Sequence, residues 1–149
     1  MTESTRQTPT ALVERTYDAP AQAVFDAWAN PDVIRRFWHA GPDWETPEAE
    51  VDLRVGGSVR VVMRRPDGAE YGGGGEYTEI DPPHRLAFTW HWDDDPPEQT
   101  SLIELSFEEQ DGRTTVVLSH SGLPSDASAA EHSDGWQAVL DNLARKALA

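Results

Sequence analysis

Apolar and polar positions alternate over residues 12–17, which predicts a short first strand. The period then changes. Val24, Phe25 and Trp28 make one face of a helix, with Asp18 as its expected cap and Pro20 in its first turn. Asn30-Pro31 restarts the same signal and predicts a second short helix ending near Trp38. From there to Gly122 the chain reads as strands divided by turns. Val51, Leu53 and Val55 alternate up to Gly56-Gly57, and the next strand stops at Pro66-Asp67-Gly68. Residues 76–80 form a strand closed by Asp81-Pro82-Pro83. Leu86, Phe88, Trp90 and Trp92 then share one face, as do Ile103, Leu105 and Phe107 on the following strand. Asp111-Gly112 marks a hairpin turn, after which Thr114, Val116, Leu118 and His120 alternate. The last segment, residues 132–149, carries Trp136, Val139, Leu140, Leu143, Ala147 and Leu148 at helical spacing.

One strand, two short helices, a run of hairpins and a long terminal helix predict an α+β fold. Short loops favour an antiparallel meander, and such a sheet has one face that only the helices can cover. A chain of 149 residues is long enough to bury roughly 70% of its unfolded surface in one core. No repeat or linker divides it, so residues 10–149 are expected to form a single domain behind a disordered polar tail at residues 1–9.

Charge excludes more than it reveals. A net charge of −15 repels phosphate backbones and anionic lipid, which argues against nucleic-acid and membrane-surface binding. No apolar run is long enough for a membrane span. The absence of cysteine removes disulfide and thiolate chemistry and fits a cytoplasmic location. None of the five histidines has metal-ligand spacing, so neither a metal nor another cofactor is expected.

The remaining candidates are weak. The glycine run at residues 72–75 lacks the Lys-Ser/Thr and helix start of a phosphate loop, and is expected to mark a bulge or bend at a strand entrance. Ser119 and Ser121 flank His120, but neighbours on a strand point to opposite faces and cannot share its proton. The acidic residues 93–95 are expected to be solvated, and Glu76 and Glu104 to face water. His120 continues an apolar face; a buried, hydrogen-bonded histidine is the first expectation there, a ligand contact or acid/base group the second.

The segments at residues 15–38, 56–68, 75–90, 118–124 and 135–143 resemble, in order, the bacterial homologues of the activator of the heat-shock protein 90 ATPase. These belong to the START-like (SRPBCC) superfamily, with its helix-grip fold. The resemblance implies a curved antiparallel sheet of about seven strands around the C-terminal helix, with an apolar cavity between them. It places Trp136, Val139, Leu140 and Leu143 toward the concave sheet. In the eukaryotic activator a separate N-terminal domain makes the principal chaperone contacts. This chain has no room for it, so chaperone stimulation is expected to be absent or weak.

The function expected first is non-enzymatic binding of a small apolar or amphipathic molecule. The expected walls are Trp38, Phe88, Trp90, Phe107, Leu118, His120, Trp136 and Leu140, with Trp136 in the first turn of the last helix. A protein-interaction or co-chaperone-like module is the second reading, and a cyclase- or dehydratase-type enzyme using His120 as acid or base the third. The first needs a closed apolar cavity, the second an exposed apolar patch, the third polar groups converging beside His120. Any helix packed on a sheet shows the same stripe, so a filled core stands against the ligand cavity. The sequence leaves homodimerisation open.

Overall fold

The computed structural model describes residues 9–148. The expected tail therefore lies outside the described residues except for Pro9, whose carbonyl accepts from the Leu123 amide at 3.2 Å. The order is β1 (Ala11–Tyr17), α1 (Ala21–Ala29), α2 (Pro31–Phe37), β2 (Glu45–Val51), β3 (Ser58–Arg64), β4 (Glu70–Asp81), β5 (Arg85–Trp92), β6 (Ser101–Gln110), β7 (Arg113–Ser121) and α3 (Asp126–Asn142). A π-helical turn, Leu143–Ala147, continues α3.

The seven strands form one antiparallel sheet in the order β1-β7-β6-β5-β4-β3-β2. Curled into a half-barrel that holds α3, it is the expected α+β helix-grip fold. Strands β2 to β7 pair with their sequence neighbours through short turns. β1 does not pair with β2: the two occupy opposite edges, and α1 and α2 carry the chain from one to the other. Concave-facing Leu86, Phe88, Ile103, Leu105, Phe107, Val116 and Leu118 join Phe25, Trp28, Ile34 and Phe37 of the short helices and Leu140 and Leu143 in one buried cluster. The helix is fastened to β1, where the Tyr17 hydroxyl donates to the Leu140 carbonyl at 2.8 Å and Arg15 pairs with Asp141.

Several local expectations hold. Asn30 caps α2 through its side-chain oxygen, which accepts from the Asp32 amide at 2.9 Å, and Pro31 opens the helix. Asp111 and Gly112, at φ of 55° and 78°, make the β6–β7 turn.

Others are corrected. Asp18 does not cap α1; Pro20 holds that position without a side-chain bond, and Glu109 of β6 accepts from the Ala21 amide at 2.8 Å instead. The alternation through Val51, Leu53 and Val55 overruns β2, which ends at Val51. Leu53 and Val55 are exposed in a turn closed by the Gly57 amide on the Arg54 carbonyl at 2.7 Å. Asp93 is not simply solvated: both its oxygens accept from Arg60, at 2.9 and 2.8 Å, and that bonding holds its carboxyl below the usual range.

The glycine run is also no bend at a strand entrance. Gly72 to Gly75 lie inside β4 and pair in unbroken register with Val62 to Val59 of β3. The irregularity in β4 comes later, between Tyr77 and Glu79.

The last helix begins six residues before His132, at Asp126, capped by Ser125 whose hydroxyl accepts from the Ser128 amide at 3.0 Å. Trp136 therefore sits not in the first turn but almost three turns in.

Candidate ligand site

The site is built where α3 crosses the β3–β5 half of the sheet. Trp136 and Val139 project from α3, Trp38 from the end of α2, Met63 from β3, and Trp90 and Trp92 from β5. They line a pocket of about 240 Å³ that opens to solvent instead of being closed, with Ala40, Gly135, Glu131 and His132 completing its boundary. The side chains between Trp38 and Trp136 are fixed by ring packing. Trp38 stacks on Trp90 with centroids 5.5 Å apart and planes 26° from parallel, and meets Trp136 at 5.5 Å and 57°. Trp92 stands edge-on to Trp90, at 5.2 Å and 83°.

Gly73 makes this arrangement possible. A Cβ there would lie 2.7 Å from Cζ2 of the Trp90 indole, so only glycine lets that ring rest against the backbone of β4.

Two histidines lie behind and beside the wall. The Trp136 indole N–H donates to Nδ1 of His120 at 3.1 Å. An indole nitrogen is a donor only, so Nδ1 carries no proton and Nε2–H donates to the Ser101 hydroxyl at 2.7 Å. Ser101 in turn donates to the Trp90 carbonyl at 3.1 Å. His132 repeats the pattern: Nε2 accepts from the Trp92 indole at 3.2 Å, and Nδ1–H donates to the Ser128 carbonyl at 2.8 Å. The two rings meet edge to face with centroids 4.8 Å apart. Burial, helped by the nearby His132, pushes the His120 pKa down to about 3. With both nitrogens committed and no exposed surface, His120 has no free position for acid or base work.

A third histidine ties α2 to the end of α3. Thr46 Oγ1 donates to the Trp38 carbonyl at 2.7 Å and accepts from His39 Nδ1–H at 2.9 Å. Lys146, in the π-helical turn, donates to Nε2 of His39 at 3.2 Å and to the Pro42 carbonyl at 2.8 Å. Burial first, then the ammonium of Lys146, pushes the His39 pKa down to about 4.

Of the expected walls, Trp38, Trp90 and Trp136 line the cavity. Phe88, Phe107, Leu118, His120 and Leu140 do not reach it; each is at most 2% exposed in the packed core. The four on strands, Phe88, Phe107, Leu118 and His120, face the helix side of the sheet as alternation requires. The difference is that α1 and α2 plug the other half of the concave face: Phe25 packs edge-on to Phe107 at 5.4 Å, and Trp28 on Phe37 at 5.1 Å. Met63, Trp92, Val139, Ala40, Gly135, Glu131 and His132 complete the lining beyond that expectation. Trp92 carries a signal, since it shares a strand face with Trp90. Gly135 carries another, as a residue without a side chain inside an apolar helical stripe.

A model of the family described as Activator of Hsp90 ATPase homolog 1-like protein matches residues 18–147. The chain belongs to that family. Its fold is shared by solved structures of other members and relatives. An AHSA1-like protein from Aeromonas hydrophila, solved by NMR, is 31% identical, with 91% of this chain and 90% of that one covered at a TM-score of 0.76. A protein from Chromobacterium violaceum is 23% identical, with 92% and 95% covered and a TM-score of 0.83. An Hsp90 activator from Plasmodium falciparum is 24% identical, with 90% and 92% covered and a TM-score of 0.70. No curated protein matches. Among the described residues no helix is long and apolar enough to cross a membrane.

Proposed function

We propose that this family member binds one small apolar or amphipathic molecule in the cavity between β3, β5 and α3. The observation that carries the reading is an open apolar cleft of about 240 Å³ lined by Trp38, Trp90, Trp92, Trp136 and Met63. Ligand sites run from roughly 300 to 1,000 Å³, so the occupant is small or inserts one end only, leaving a polar remainder beside Glu131 and His132. An enzyme based on His120 has less support, because its nitrogens are bonded to Trp136 and Ser101. The likeness to the Plasmodium falciparum Hsp90 activator is a likeness of fold and favours no chaperone role here.

Titration of the folded protein with Nile red, a neutral environment-sensitive dye, tests the reading. Saturable binding at one site is expected, with loss in Gly135→Leu, which fills the cavity from α3. Absence of saturable binding to the wild type overturns it.

A further inference from the structure

The cavity combines aromatic faces with a single unpaired charge. Trp38, Trp90, Trp92 and Trp136 line it as one packed aromatic cluster, each ring in contact with its neighbour. Two of their four polar handles are already bonded, the Trp92 indole to His132 and the Trp136 indole to His120. His132 itself is bonded at both nitrogens. These groups therefore offer an incoming molecule ring surface rather than hydrogen bonds. At the mouth stands Glu131, exposed and without an ion-pair partner among the described residues. No lysine or arginine lines the cavity, and the chain as a whole carries −15.

An aromatic face is the negative end of a ring quadrupole, so it attracts a cation that has shed its water. A primary ammonium holds its water tightly and needs several acceptors to replace it. A methylated ammonium does not, because its charge is spread over apolar methyl groups that pack against indole. An anion finds no cationic group and meets the Glu131 carboxylate, while a neutral molecule has no charge for the rings or Glu131 to attract. We propose that the cavity selects organic cations of the methylated ammonium class, with the head group against the tryptophans and Glu131 compensating its charge. This inference rests on the binding proposed above and names the chemistry of the occupant.

Choline and its carbon isostere 3,3-dimethylbutan-1-ol have the same shape and differ in charge. Each is titrated into the full chain at constant ionic strength, read by tryptophan fluorescence and by NMR shifts of the indole N–H groups. Choline is expected to bind at least tenfold more tightly, moving the Trp92 and Trp136 signals. Glu131→Gln should reduce that advantage several-fold without changing the melting temperature, and Gly135→Leu should abolish it. Equal binding of the two compounds overturns the cation selectivity and leaves apolar binding standing. A choline advantage that survives in Gly135→Leu is attraction to the acidic surface, and also overturns it. If neither compound binds, the inference falls, and the Nile red titration separately decides whether a binding cavity remains.

Discussion

The Trp136 indole N–H and Nδ1 of His120, 3.1 Å apart, join a cavity wall to the buried end of β7. The bond fixes the histidine's tautomer, and through Ser101 it extends to the backbone of β5 at Trp90. One chain of hydrogen bonds thus sets the positions of two facing walls.

Trp136→Phe tests that chain. Phenylalanine keeps much of the ring and removes the donor, leaving a buried acceptor unpaired on His120. Equilibrium urea unfolding is expected to show a loss of about 1–3 kcal/mol. A loss within error of zero would mean that the bond contributes nothing to holding the wall.

Acid should destabilise the protein above the carboxylate range. His120 and His39 have folded pKa values near 3 and 4, against an ordinary 6.5. Below 6.5 the unfolded chain takes up protons that the folded protein refuses, so stability is full above that pH and falls as pH drops. Each histidine contributes a slope of at most about 1.4 kcal/mol per pH unit. Urea midpoints measured from pH 7 to 4.5 should decline, and less steeply in His120→Gln. A flat profile over that window would contradict the buried neutral histidines.

Gly73→Ala should displace Trp90. Its Cβ would meet the indole at 2.7 Å and the His91 carbonyl at 3.0 Å, and overpacking of this kind costs about 1–3 kcal/mol. The checks are urea unfolding and the near-ultraviolet circular dichroism of the tryptophans. An unchanged spectrum with unchanged stability would show that the ring does not need the glycine.

Gly135→Ala should act in the opposite direction. The new Cβ meets nothing closer than the Ala40 Cβ at 3.7 Å, and glycine within a helix costs about 1 kcal/mol relative to alanine. The variant is expected to melt higher and to bind Nile red more weakly, since the added methyl borders the cavity. Higher stability with undiminished binding would place the ligand elsewhere.

What the sequence could reveal depended on how far each signal acts. Alternation assigned the faces of β5, β6 and β7 because each residue's side is decided by its own strand. The Asn30-Pro31 start of α2 was equally readable, being satisfied within three residues. The first turns of α3 were not, because Asp-Ala-Ser-Ala-Ala-Glu buries little beyond Ala129 and so carries no apolar stripe. The glycine run misled for a related reason. What Gly73 accommodates is an indole on the neighbouring strand, and no local pattern reports a neighbour. The cavity's position was hidden likewise: it lies where α1 and α2 fail to fill the sheet, which is a property of their packing and not of any wall residue.

Lys146 is the chain's one lysine, and its ammonium grips the Pro42 carbonyl and His39 beside the segment that bears Trp38. Acylating or carbamoylating reagents therefore find a single side-chain amine, and it is a latch. Capping it takes away the charge that holds the segment to the end of the last helix, so one covalent event loosens one side of the cavity. In most proteins such chemistry is scattered over many surface amines; here it becomes a single lever.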